Sequence, residues 1–158
     1  MKKPIYIAAI IFGLAACIGV FLNRNELFVY PGLRAHASHG LQDPASTQFR
    51  NEKLAPGGWL CGEMNSKNAY GAYTGFKRFI SGSEFDVHLE NTGYIGGKQS
   101  YAAEAENFSE QLQAEIEVMG LYNQLKKDVG SIEMPSKENI STMAMKNVFD
   151  GRWSKTCT

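Results

Sequence analysis

The residues with the most reactive chemistry are Cys61 and Cys157, with His88 between them in the chain. Cys61 beside His88 as base would make a thiolate nucleophile, but no orienting group or local signature of a cysteine enzyme accompanies it. Glu63 with Glu84 or Asp86 would place carboxylates on neighbouring strands, the arrangement that cleaves glycosidic bonds. His36 and His39 lie three apart and would share a face of a short helix, with no third metal ligand nearby in sequence. No phosphate-cradling glycine loop, nucleophile elbow, kinase or zincin motif occurs. The sequence therefore predicts no catalytic residue, no metal site and no cofactor.

A different kind of chemistry gathers at Asn65, Lys67, Asn68, Tyr70 and Tyr73. Two amides, a cation and two phenols on one short loop form a candidate binding loop, because exposed aromatics anchor contacts at low entropy cost. The same residues also suit a structural role, with the asparagines satisfying turn backbone and the tyrosines packing over a sheet.

The compartment is written at the N-terminus. Lys2 and Lys3 precede an apolar run from Ile5 to Leu22 that contains Leu14-Ala15-Ala16-Cys17. A basic start, an apolar stretch and small residues before a cleavage point compose an export signal. Leu-Ala-Ala-Cys resembles the lipobox of bacterial lipoproteins, which implies lipidation at Cys17. The run also approaches the ~20 residues a transmembrane helix needs, so a spanning anchor is the alternative. Either way the positive-inside tendency puts everything beyond about Asn23 outside. Residues 1–22 are expected to be the anchor, 23–32 a juxtamembrane linker, and 33–158 one extracytoplasmic domain of ordinary size. It would sit in the cell envelope, facing the periplasm or the exterior. In that oxidising space Cys61 and Cys157 are expected to pair as a disulfide.

Net charge is zero, but the charges are segregated. From Glu84 to Glu117 eight acidic residues accompany Lys98 alone, whereas Arg34 to Arg78 carries six basic residues against three acidic. No basic stripe is dense enough for nucleic acid, which removes that partner class.

The elements that position these groups follow from periodicity and turn chemistry. Leu33 to Leu41 reads as a short helix after Pro31-Gly32, and Asp43-Pro44-Ala45-Ser46 as a turn. Phe49 leads into an edge strand, and Trp59 to Asn65 forms the clearest strand. Within it Gly62 marks a bulge or a close backbone approach. Tyr73–Ile80 and Glu84–Leu89 complete an antiparallel meander. Ser100 caps a long helix to Val129, with Ala105, Phe108, Leu112, Ile116, Met119, Tyr122 and Val129 as the face expected to pack on the sheet. Ser136 caps a last helix that Gly151 should stop. The predicted fold class is α+β: a small antiparallel sheet packed against one long and one or two short helices, with an N-terminal membrane anchor.

Two groups of residues in 41–80 carry a resemblance. The first is Leu41, Asp43-Pro44, Ser46 and Phe49-Arg50. The second is Cys61-Gly62-Glu63, Asn65, Lys67-Asn68, Tyr70-Gly71, Tyr73, Gly75-Phe76 and Phe79. This stretch, about a quarter of the chain, resembles one in small uncharacterised bacterial proteins that are exported or membrane-anchored. The resemblance implies fold and location, and no reaction.

Taken together, these features predict a membrane-tethered, extracytoplasmic, non-enzymatic domain that binds a protein partner, as an envelope accessory or immunity-like protein would. The alternatives are a cell-wall-directed hydrolase using Cys61 or Glu63 and Asp86, and a structural component of an envelope complex with the long helix as interface.

Overall fold

The computed structural model describes residues 3–82, 86–94 and 101–158, with side chains placed for all of these except 3–11, 93–94 and 101–104. Two compact units emerge, Met1–Gly32 and Leu33–Thr158.

In the first unit, helix α1 spans Lys3–Leu22 and a π-helical turn follows at Asn25–Val29. Helix α2, Tyr30–His39, begins directly afterwards and from Leu33 onward belongs to the second unit. The expected linker at 23–32 is therefore helical, and Pro31-Gly32 does not interrupt it. Pro31 falls in the first turn of α2, where its missing N–H costs least. Among the described residues no single helix is long and apolar enough to cross a membrane; Phe12–Leu22 and Asn25–His39 meet that test only as a bent pair.

The second unit is built on an antiparallel sheet in simple meander order: β1 (Gln48–Ala55), β2 (Trp59–Asn65), β3 (Lys77–Ser81), β4 (Val87–Leu89) and the two-residue β5 (Gly93–Tyr94). β3 is shorter than expected because the chain before it is spent on turns, with Gly71 and Gly75 both at positive φ. Glu84 and Phe85 of the expected fourth strand, and the expected cap Ser100, lie outside the described residues.

Register explains Gly62. Arg50 pairs with Glu63 and Lys53 with Cys61, so Asn51 and Glu52 bulge opposite a single residue, with Asn51 in the left-handed region at φ 53°. A Cβ on Gly62 would stand 3.0 Å from Glu52 Cγ, 3.1 Å from the Phe79 ring and 3.2 Å from the Arg50 carbonyl oxygen. The expected bulge and the expected close approach are thus one feature: the strand without a side chain makes room for the bulged one.

The sheet is covered on both faces, which is why β2 is nearly all buried instead of alternating. On one face lie Leu60, Met64, Phe79, Val87 and Leu89. Here α2 docks: Ser81 Oγ donates to the Leu33 carbonyl at 2.9 Å, and Arg34 ion-pairs with the buried carboxylate of Glu52. On the other face, Ala55, Cys61 and Ile80 form a core with Phe149 and Cys157, against which Trp59 and Trp153 pack. Phe149, Trp153 and Cys157 belong to α4, Lys137–Thr156, and its C-cap. Gly151 does not end α4. Its modest helical penalty of about 1 kcal/mol is offset by the packing of Phe149 and Trp153 on either side.

The long helix α3, Tyr101–Val129, differs most from expectation. It packs, among the described residues, chiefly on α4. Among its described side chains Ala114 and Val118 are buried, as are Ile140 and Ala144 of α4. The apolar row Phe108, Leu112, Ile116 and Met119 faces solvent instead. The sheet face it was expected to cover is already held by α4, which a disulfide and an arginine clamp fasten there.

Candidate functional site

Cys61 and Cys157 are joined as a disulfide with Cα atoms 5.8 Å apart, closing a separation of 96 residues. Cys61 therefore presents no thiolate. His88 is not its base either. Cys61 pairs with Ile80 and Ile80 with His88, so two strand spacings, roughly 9–10 Å, separate them. Cys17 is free and exposed on α1.

The carboxylate pair is also dispersed. Glu63 sits opposite Arg78, whereas the Asp86 carbonyl accepts from Gly82 N–H, four residues further along β3. At about 3.3 Å per residue they are more than ~13 Å apart along the strand, beyond the separations used in glycosidic cleavage. Glu63 accepts hydrogen bonds from Arg50 at 2.6 Å and Asn51 at 2.9 Å, and these hold its carboxyl below the usual range. It is ionised at neutral pH and cannot serve as a proton donor there.

The candidate binding loop divides into scaffold and display. Asn65 is buried and its Oδ1 accepts from Gly75 N–H at 3.0 Å. Asn68 Oδ1 accepts from the N–H groups of Tyr70 at 3.0 Å and Ala72 at 3.1 Å, so it shapes the turn. Tyr73 donates its hydroxyl to the Ser46 carbonyl at 3.2 Å, while Lys67 Nζ lies 5.5 Å from the Tyr73 ring centroid. The turn at Asp43–Ser46 braces all of this, since Ser46 Oγ accepts from Lys67 N–H. Tyr70, 95% exposed, is displayed most fully, and Tyr73 is 44% exposed.

A larger surface lies on α3. Phe108, Leu112, Ile116 and Met119 are spaced four, four and three residues apart, which aligns them on one helical face. Phe108 is 67% and Ile116 57% exposed. At about 100° per residue, Glu115 adjoins this row, whereas the acidic residues at 106, 110 and 117 lie on another side of the helix.

Sequence reasoning missed one cluster entirely. Arg152, on α4, reaches His88 Nε2 through Nη1 at 3.2 Å and donates through Nη2 to Asn107 Oδ1 at 2.9 Å and to Glu110. These groups come from β4, α3 and α4, far apart in the chain, so no local motif announces them. Burial, reinforced by the Arg152 charge, pushes the pKa of His88 down to about 4. A second cluster centres on Arg78, which meets Glu90 and Asp150, each at 2.6 Å, and lies over the Phe149 and Trp153 rings at 5.2 and 5.4 Å.

The geometry defines a disulfide-closed α+β domain with a two-layer helical cover on one sheet face. No protein-family model, curated protein or solved structure matches the chain.

Proposed function

We propose that this chain is an extracytoplasmic protein-binding domain tethered at the membrane by residues 1–22, through lipidated Cys17 or a spanning helix, and that the outer face of α3 is its contact surface. The observation that carries the reading is the row Phe108, Leu112, Ile116 and Met119, left in water by a helix whose packing needs are met through Ala114 and Val118. Contiguous exposed apolar surface on a folded domain marks an interaction site.

Charge selects the class of partner. Glu115 beside the row, with the carboxylates at 106, 110 and 117 elsewhere round the same helix, opposes approach to an anionic bilayer, which attracts basic helices. These carboxylates suit a protein that offers an apolar groove with a lysine- or arginine-lined rim. An envelope accessory or an immunity-like protein works in this way, by occupying a partner's surface without turning anything over. The hydrolase alternative has lost its thiolate and its close carboxylate pair.

A photo-crosslinking side chain placed at Ile116 in the full chain, in native membranes, tests the reading. One discrete adduct with a protein of the stated chemistry is expected. Leu112→Glu should abolish it while changing the unfolding free energy by less than about 0.5 kcal/mol, as for exposed positions generally. Adducts only between copies of this chain would make it a structural component. An adduct from Tyr70 and not from Ile116 would move the contact to the 65–73 loop, and no adduct from either would reject a binding role.

A further inference from the structure

The cavity between the sheet edge, α3 and α4 has a volume of about 230 Å³. Phe108, Met145, Val148 and Phe149 form its apolar walls, and Arg152 with His88 its polar end. A dry cavity of about 150 Å³ already accommodates benzene, so the space suits one compact ring or branched chain and not a drug-sized molecule.

The polar end has a definite sign. Among the described residues, no carboxylate lines the cavity. The counter-ion of Arg152, Glu110, meets Nη2 from outside the cavity lining, with a side chain that is 42% exposed. Of the five guanidinium N–H groups, three have the partners named above. Nε is buried and has no hydrogen-bond partner among the described residues. The second N–H of Nη1 also has no partner among the described residues, and it is the donor offered to an oxygen from outside the chain.

The geometry points to a small-molecule site here for a monocarboxylate with a compact apolar body, its oxygen received by the Arg152 guanidinium and its ring or branched chain by Phe108, Met145, Val148 and Phe149. His88, kept neutral by its surroundings, accepts from Nη1 and steadies the guanidinium without adding charge. The site is independent of the protein contact proposed for α3, although Phe108 borders both.

Benzoate is the probe, titrated by calorimetry into the full chain in detergent micelles, with benzyl alcohol as the uncharged control. Saturable binding of one benzoate is expected, at least tenfold tighter than benzyl alcohol. Arg152→Gln should weaken benzoate at least tenfold and leave benzyl alcohol little changed, while Met145→Trp should fill the cavity and remove both. Intermolecular nuclear Overhauser contacts from benzoate ring protons to the Met145 methyl locate the site in the unaltered chain, whether or not either variant folds. Absence of saturable binding, absence of that contact, or equal benzoate affinity in folded Arg152→Gln would overturn the assignment.

Discussion

His88 shows how one side chain ties stability to pH. It is buried under the Arg152 guanidinium, so protonating it places two cations together. An unfolded histidine takes its proton near pH 6.5, whereas the folded one resists until about pH 4. The unfolded state therefore binds more protons between those values. The contribution is complete above ~6.5 and is lost as pH falls toward 4. Its carboxylate neighbours behave differently. Hydrogen bonds from arginine or lysine hold Glu63, Glu90 and Asp150 below their usual range, so their contributions fade only under more acidic conditions. The interval from pH 7 to 5 thus isolates the histidine. Denaturant unfolding should show a loss of about 2 kcal/mol across it, since a proton taken up by the unfolded chain alone costs the fold about 1.4 kcal/mol for each step of one in pH. His88→Gln should remove most of that slope.

At the scale of elements, the decisive contact is between α4 and the sheet. Arg78 on β3 bridges Glu90, in the turn after β4, to Asp150 on α4, and its plane lies over two aromatic rings of the same helix. A planar, five-donor cation can make all these contacts at once, and lysine cannot. Arg78→Ala should lower stability by about 2 kcal/mol in equilibrium unfolding, since it removes two charged hydrogen bonds and the stacking together. Arg78→Lys should recover less than half. Trp59 locks the far end of the same region: a Cβ on Gly82 would meet its ring at 2.5 Å, so only glycine lets the indole close over that turn. With α4 fastened at both ends, α3 has no sheet left to cover. Its larger apolar row consequently points to solvent, and the binding surface proposed above arises from this competition between helices.

For the whole molecule, the disulfide joins the last helix to a central strand across most of the domain. Closing a loop of that size restricts the unfolded chain by ~4–5 kcal/mol in the chain-entropy treatment. Cys157→Ser should therefore lower the unfolding free energy of the full chain by about 4 kcal/mol, with reductant reproducing the loss in the parent protein. The same bond reports location. Thiol trapping in intact cells should find Cys61 and Cys157 oxidised if the domain lies outside the membrane, and finding both reduced would remove the extracytoplasmic assignment.

Local patterns in the chain suffice for the α+β class, the strand Trp59–Asn65, the Asp43–Ser46 turn, the pairing of Cys61 with Cys157 and the close approach at Gly62. Each depends on a residue's own conformational limits or, for the cysteines, on setting Cys17 apart with the N-terminal apolar segment. Which helix face is buried is a different matter. Periodicity reports that α3 has an apolar row, and Phe108 to Met119 supply it, but burial depends on what else competes for the sheet. Likewise His88, Asn107, Glu110 and Arg152 meet only because β4, α3 and α4 converge, and no spacing along the chain records that meeting. Local chemistry decided what each segment can form; the tertiary structure alone decided which surfaces were used up and which were left over.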